Sequence, residues 1–141
     1  IFGTRPEIIR LSEIIAHLDR FCEQVLVHTG QNYDERLSEV FFEELGIRQP
    51  DEHLGVRATS FASQTGQILE RVAALFERRR PDRILILGDT NSGLSSIVAA
   101  RQGIPVFHLE AGNRCYDDRV PEEGGPPILG SACEEMEGAE D

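Results

Sequence analysis

The sequence predicts an α/β fold in which a parallel sheet carries helices on both faces. Short apolar runs alternate with longer helical patterns along residues 1–109, and this alternation is typical of strand–helix–strand units. The run RILIL at residues 83–87 is nearly all apolar, as in strands that are buried on both faces. Gly46 and Pro81 follow two of the helical patterns directly, at positions where such residues end helices.

Each element is assigned from its own pattern. Apolar residues recur at three- and four-residue spacing in the helical segments, and the longest of these ends in three arginines that suit the negative end of a helix dipole. Pro81 cannot continue that helix. The predicted helices are residues 7–20, 34–45, 61–80 and 91–101, and the predicted strands are residues 1–2, 24–28, 51–54, 83–87 and 104–109.

Composition excludes several classes of protein. The chain has 141 residues, enough for one domain, and its net charge of −11 is concentrated in residues 122–141, which hold seven acids and no base. The remainder shows no basic face for nucleic acid. No apolar run approaches the ~20 residues of a membrane span, and no leader sequence is visible, so we expect a cytoplasmic protein. Cys22, Cys115 and Cys133 have neither disulfide-framework nor zinc-site spacing.

Four predicted strand ends carry polar segments. In parallel sheets the ligand binds at the carboxyl ends of the strands, so function is expected there. The segments are GTRPE after the first strand, TGQNYD after the second, GDTNS after RILIL and EAGNR after the last. Their convergence predicts a binding site at one edge of the sheet.

Arg5 is the first candidate side chain of this site. Gly3 permits a tight turn, Pro6 suits a helix start, and an arginine beside a helix N-terminus can bind phosphate or carboxylate. The alternative is that Arg5 pairs with Glu7 or caps a neighbouring group. GTRPE is not the Gly-x-Gly-x-x-Gly loop, so a nicotinamide cofactor is not supported.

Asp89 and Glu110 are candidate proton-transfer groups. Each follows a predicted buried strand, where partial desolvation would suit a carboxyl group to acid–base work. The alternative is helix capping, since Asp is a favoured N-cap residue. His108 fits a hydrogen-bonded core histidine better than a catalyst, and Arg114 lies in a polar loop where a site role and a solvent-facing role both remain open.

Five segments together resemble a known family. FGTRPEIIRLS, VHTGQNYD, FFEELGI, LGDTNS and FHLEAGNRCYDDRVPEE, in this order and spacing, resemble the bacterial UDP-N-acetylglucosamine 2-epimerases over residues 1–123. The last segment resembles the corresponding segment of one branch of this family. The enzymes of that branch make capsule or O-antigen sugars on the route to UDP-N-acetylfucosamine.

The resemblance implies the first half of a GT-B-type two-domain enzyme. A UDP-sugar would bind in the cleft between two Rossmann-like domains, and its C2 centre would be inverted by elimination and re-addition of UDP. No metal or redox cofactor is implied, no nucleic-acid or membrane partner is expected, and full-length relatives would be homodimers.

The resemblance also implies roles for individual residues. Arg5, Arg10 and Gln31 match positions that contact the nucleotide or lie in the cleft, and Arg114 is a further candidate for substrate binding. Asp89, Glu110 and Glu122 match three acids involved in catalysis. Which of the three removes the proton stays open.

The sequence departs from the family after Glu123. The family continues with an Asn-Arg pair, an apolar helix and a second domain, whereas residues 124–141 read GGPPILGSACEEMEGAED. We therefore expect an epimerase domain at residues 1–123, truncated at both ends, and a divergent, disordered acidic tail at residues 124–141. Such a chain alone would have little or no epimerase activity. The alternatives are a non-catalytic nucleotide-sugar binding module and a fragment of a GT-B glycosyltransferase.

Overall fold

The computed structural model describes residues 1–30 and 35–111, and within them all side chains except those of residues 35–39. The predicted boundary at residue 123 and the tail after it lie outside these residues. In chain order the described elements are α1 (Arg5–Leu18), β1 (Val27–His28), α2 (Glu35–Glu44), β2 (Glu52–His53), α3 (Phe61–Arg79), β3 (Ile84–Leu87), a 3₁₀ turn (Asn91–Leu94), α4 (Ser95–Arg101) and β4 (Val106–Leu109).

The strands pair in parallel, and residues 1–3 connect two ladders. β1 pairs with β2, and β3 pairs with β4. Phe2 donates a hydrogen bond to the carbonyl of Val27 at 3.0 Å, while the nitrogen of Ile1 donates to the carbonyl of Leu85 at 2.9 Å. The order across the sheet is therefore β2, β1, residues 1–3, β3, β4, and the carboxyl ends of all strands meet at one edge.

The sheet buries apolar side chains on both faces, as the sequence predicts. Along β3, Ile84 and Ile86 pack with α3 and α4 on one side, while Leu85 and Leu87 pack on the other side with the apolar face of α1. This alternation follows the two-residue period of a strand. The predicted α/β class, with a parallel sheet covered on both faces, is confirmed.

Helix α3 shows why its ends lie where the sequence predicts. Ser60 caps the start by accepting a hydrogen bond from the amide of Ser63 at 3.2 Å, and Arg80 ends the helix in the left-handed conformation at φ 46°, just before Pro81. The last turn also ties the helix to the sheet, because Arg78 and Arg79 form ion pairs with Glu52 at 2.8 and 2.6 Å.

Most predicted boundaries differ from the structure by one or two residues, and three elements differ in a way that has a physical reason. β1 is shorter than residues 24–28, because the amide of Leu26 bonds to the side chain of Asp51 at 2.7 Å instead of joining a ladder. The helix predicted over residues 91–101 starts as a 3₁₀ turn that contains Gly93, a poor helix former. β4 is half-buried along its length, because it lies at the end of the strand order within the described residues.

Ile86→Ala should lower the free energy of unfolding by about 2–5 kcal/mol, because the side chain of Ile86 is 0% exposed in the middle of β3. Denaturant unfolding of the purified chain would measure this. Ile9→Ala is the matched control, since Ile9 is 51% exposed and its loss should change stability by no more than about 0.5 kcal/mol. Equal losses at the two positions would contradict the assigned core.

Candidate functional site at the carboxyl edge of the sheet

The side chain at the centre of the sheet edge is Glu7. It lies in the first turn of α1 and is only 2% exposed. One carboxylate oxygen, Oε2, accepts hydrogen bonds from the amide of Gly3 at 2.9 Å and from the amide and hydroxyl of Thr4 at 2.7 and 2.8 Å. These bonds fold the segment after the first strand back onto the start of α1, in the manner of a capping box.

The other oxygen of Glu7 reaches a distant part of the chain. Oε1 accepts a hydrogen bond from the hydroxyl of Thr90 at 2.7 Å and another from the hydroxyl of Ser92. Thr90 and Ser92 follow β3, and the carbonyl of Ser92 in turn accepts from the hydroxyl of Ser95 at 2.7 Å. One buried carboxylate thus links the segments that follow two different strands.

A second link at this edge joins two residues predicted from the sequence. Arg10 on α1 forms an ion pair with Glu110 at 2.6 Å, with side chains 58% and 34% exposed. Glu110 directly follows β4 and adopts a left-handed backbone at φ 63°, a conformation that costs energy in residues other than glycine. The pair brings together a cation and a carboxylate that lie 100 residues apart in the chain.

His108 on β4 contacts the turn that follows β3. Gly88 has φ 63°, and its carbonyl lies 2.8 Å from Nε2 of His108. A carbonyl oxygen can only accept, so the imidazole nitrogen donates. This contact agrees with a structural role for His108, but Nδ1 of the same ring is buried without a hydrogen-bond partner among the described residues, so the predicted hydrogen bonding is only partly met.

His28 is the last residue of β1 and lies near the same edge of the sheet. It is 3% exposed, its ring packs edge-on against Phe2 at 5.4 Å between centroids, and Nδ1 accepts from the amide of Gly30 at 2.9 Å. The pKa of His28 is lowered from 6.5 to about 4, chiefly by burial and then by the positive charge of His53, while the negative charge of Glu7 opposes both. The imidazole is therefore neutral at pH 7.

Gly30 must be glycine for two reasons. Its φ is 95°, and a Cβ placed there would lie 2.7 Å from the amide nitrogen of Val56 and 2.9 Å from the Cα of Gly55. Residues that carry a side chain rarely adopt this φ, and the backbone of residues 55 and 56 leaves no room for a Cβ atom. The turn after β1 therefore depends on this residue.

The predicted residues fall into three groups. Arg10 and Glu110 are brought into contact. Arg5 is exposed at the start of α1 with its guanidinium carbon 5.9 Å from the ring centroid of Phe41, and Asp89 is exposed in the turn after β3. Within residues 1–30 and 35–111 neither is hydrogen-bonded or ion-paired to another predicted residue. The remaining predicted residues, Gln31, Arg114 and Glu122, lie outside the described part of the chain.

Three interpretations of these residues are wrong. Asp89 is exposed rather than partly desolvated, whereas the side chain of Glu110, in its ion pair with Arg10, is 34% exposed. Asp89 is also not the helix cap that the alternative reading required, since Thr90 occupies the cap position of the 3₁₀ turn. Nor does Arg5 pair with Glu7, whose two oxygens accept hydrogen bonds from residues 3 and 4 and from residues 90 and 92.

Sequence reasoning missed the role of Glu7. A signal was present, because Thr4 and Glu7 have the Thr-x-x-Glu spacing of a capping box ahead of an apolar helical pattern. The spacing predicts the bonds to residues 3 and 4. It carries no information about Thr90 and Ser92, more than 80 residues away.

Residues 1–30 and 35–111 offer neither a cluster of metal ligands nor a membrane-spanning helix. These residues contain no cluster of three or more His, Cys, Asp or Glu that could hold a metal ion. None of their helices is both long and apolar enough to cross a bilayer.

Similarity to known proteins covers most of the chain. The family model for UDP-N-acetylglucosamine 2-epimerase matches residues 16–125. The chain belongs to this epimerase family. It is 41% identical over 124 residues to a UDP-N-acetylglucosamine 2-epimerase of Methanococcus maripaludis, a match that covers 87% of this chain and 34% of the relative. It is 37% identical over 126 residues to the UDP-2,3-diacetamido-2,3-dideoxy-D-glucuronate 2-epimerase of Pseudomonas aeruginosa, covering 87% and 36%.

Solved structures of epimerases share the fold. The UDP-N-acetylglucosamine 2-epimerase of Rickettsia bellii is 52% identical with a TM-score of 0.78, covering 86% of this chain and 33% of that one. The Methanocaldococcus jannaschii enzyme in complex with UDP-GlcNAc and UDP is 39% identical with a TM-score of 0.78, covering 86% and 34%. The resemblance to the family is thereby confirmed, and the chain spans about a third of the length of these relatives.

The stability of this epimerase-family chain should fall as the pH drops from 6.5 to 4. The unfolded chain takes up a proton on His28 near pH 6.5 and the folded chain only near pH 4, so the contribution is complete above pH 6.5 and is lost as the pH falls between these values. The difference between the two pKa values corresponds to about 3 kcal/mol. Denaturant unfolding at several pH values would measure the loss.

His28→Asn isolates this effect, since an amide oxygen can replace Nδ1 as the acceptor for Gly30 but does not titrate. The pH dependence between 4 and 6.5 should flatten in this variant. His17→Asn is the control, because His17 is exposed on α1, and it should keep the dependence of the parent. An unchanged slope in His28→Asn would assign the effect to other groups.

Proposed function

We propose that the chain forms the substrate-binding N-terminal half of a UDP-N-acetylhexosamine 2-epimerase, an isomerase that inverts C2 of its sugar. The observation that carries this proposal is the contact between Arg10 and Glu110 at the carboxyl edge of the sheet. It sets a phosphate-binding type of side chain beside a carboxylate suited to proton transfer, where parallel α/β sheets bind ligands.

The reaction needs a base at C2 and a cation at the leaving group. A carboxylate takes the C2 proton, the bond between C1 and the UDP oxygen breaks, and a double bond forms between C1 and C2. UDP then adds back to C1, and C2 receives a proton on the opposite face. Proton transfer is assigned to the acids Asp89, Glu110 and Glu122, with the choice among them open.

Binding of the UDP-sugar substrate is assigned to Arg5, Arg10, Gln31 and Arg114. Arg5 is exposed at the first position of α1, where the helix N-terminus adds favourable potential for phosphate. A guanidinium in this place would stabilise the negative charge that develops on UDP as the C1 bond breaks. The solved relative in complex with UDP-GlcNAc and UDP supports a UDP-sugar as ligand.

The finer parts of the proposal concern the whole protein. Because the chain spans about a third of its relatives' length, a second domain is needed to close the cleft, and the 141-residue chain alone should have little or no turnover. We assign the full protein to the cytoplasm as a homodimer. Its substrate is a UDP-2-acetamido sugar used for surface polysaccharide synthesis, in the branch that makes capsule or O-antigen sugars.

A chimera tests the catalytic assignment. Residues 1–123 replace the matching third of the Rickettsia bellii relative, and deuterium incorporation at C2 of UDP-GlcNAc is followed in heavy water. The chimera should exchange this proton, and Glu110→Gln should slow the exchange about 10²–10⁴-fold. The amide oxygen of Gln can still accept from Arg10, so the variant removes the basic group with little change in the contact.

Glu70→Gln is the matched control, because Glu70 is exposed on α3 away from the sheet edge, and its exchange rate should equal that of the parent. Full exchange in Glu110→Gln would remove Glu110 from the proton-transfer step. A chimera that binds UDP-GlcNAc without exchange would favour a nucleotide-sugar binding module, and acceptor-dependent sugar transfer would favour a glycosyltransferase.

A further inference from the structure

Glu7 has more hydrogen-bond donors than a helix cap requires. A capping box uses a carboxylate to satisfy one or two amides at the start of a helix. Glu7 accepts five hydrogen bonds, three on Oε2 from residues 3 and 4 and two on Oε1 from Thr90 and Ser92. Burying a charged group is costly unless donors surround it, so both sets of donors stabilise its position.

The two oxygens of Glu7 serve different segments. Oε2 holds the segment that follows the first strand, and Oε1 holds the segment that follows β3. These segments are covalently connected only through more than 80 intervening residues. The carboxylate is rigid and planar, so fixing both oxygens fixes the two segments relative to each other.

Both segments carry a residue of the proposed site next to a donor of Glu7. Arg5 follows Thr4 directly, and Asp89 precedes Thr90 directly. Arg5 and Asp89 are themselves exposed and are not held by each other. Their relative placement therefore depends on backbone that Glu7 anchors on both sides.

We propose that Glu7 is a positioning residue that couples the two segments and presets Arg5 and Asp89 for the UDP-sugar. Glu7 itself is buried and does not touch the substrate. The coupling rests on contacts within the described residues, and the part that concerns the UDP-sugar rests on the proposed function.

The geometry identifies a conservative variant. In Glu7→Gln the amide oxygen can take the place of Oε2, where all three groups are donors. The NH₂ group then faces Thr90 and Ser92, whose hydroxyls can accept as well as donate. Glu7→Gln should therefore keep the coupling, whereas Glu7→Ala removes both sides of it.

The sharper test removes only the distant side. The double variant Thr90→Val, Ser92→Ala leaves Glu7 and its cap intact but deletes both donors to Oε1. Ser96→Ala is the matched control, because Ser96 is also buried and its hydroxyl bonds to the carbonyl of Gly93 at 2.7 Å without contacting Glu7.

Amide hydrogen exchange measures the coupling without any ligand. In the double variant the amides of Gly3 and Thr4 should exchange about tenfold faster than in the parent, although the substitutions lie more than 80 residues away. Glu7→Gln and Ser96→Ala should exchange at the parent rate. Unchanged exchange of Gly3 and Thr4 in the double variant would overturn the inference, because Glu7 would then be a local cap only.

Titration with UDP measures the consequence for the site. At a temperature well below the melting transition, UDP should bind the double variant about tenfold more weakly than the parent chain, with binding retained in Glu7→Gln and Ser96→Ala. A purely structural role would lower the melting temperature and leave the UDP affinity of the folded chain unchanged, which would overturn the positioning role.

The two failures are distinguishable. Absence of UDP binding by the parent chain counts against the proposed function and against the presetting of Arg5 and Asp89 for a UDP-sugar. The exchange rates of Gly3 and Thr4 then decide the coupling by itself. UDP binding by the parent chain that the double variant retains in full counts against Glu7 alone.

Discussion

The structure depends on the burial of one carboxylate. Glu7 is almost inaccessible to solvent, and a charge in such a place is stable only among hydrogen-bond donors. Those donors come from the segments after two neighbouring strands, so satisfying Glu7 requires residues 1–3 and β3 to lie side by side. The start of α1, the 3₁₀ turn and the sheet edge are consequently linked by the hydrogen bonds of one side chain.

The sheet places the two sets of hydrogen-bond donors close enough together to reach Glu7. Residues 1–3 lie between β1 and β3, and apolar residues cover both faces. Since all pairings are parallel, the segments that follow the strands all lie at the same edge of the sheet. That arrangement explains how Arg10 and Glu110 meet, and it accounts for the concentration of charged, exposed side chains there rather than in the core.

The candidate site at the edge of the sheet is exposed, and this is consistent with the greater length of the relatives. The chain spans about a third of its relatives, and an enzyme of the GT-B type binds its ligand between two domains. Carboxylates that would need a dry environment for proton transfer are exposed in the described residues. In the proposed function, closure by a second domain and by the sugar itself would exclude water from Asp89 and Glu110.

The sequence by itself determined the class of the fold, most helix boundaries and the family, and it predicted a candidate site at the strand ends. The signals for the helices are local: the apolar periodicity, Pro81, the cap at Ser60 and the spacing of Thr4 and Glu7. Each depends only on residues that are close together in the chain. Only the tertiary structure decided that Oε1 of Glu7 reaches Thr90 and Ser92, that Arg10 meets Glu110 and that β4 is half-buried. These are contacts between segments far apart in the chain, and they depend on which strands become neighbours, a property that no short stretch of sequence encodes.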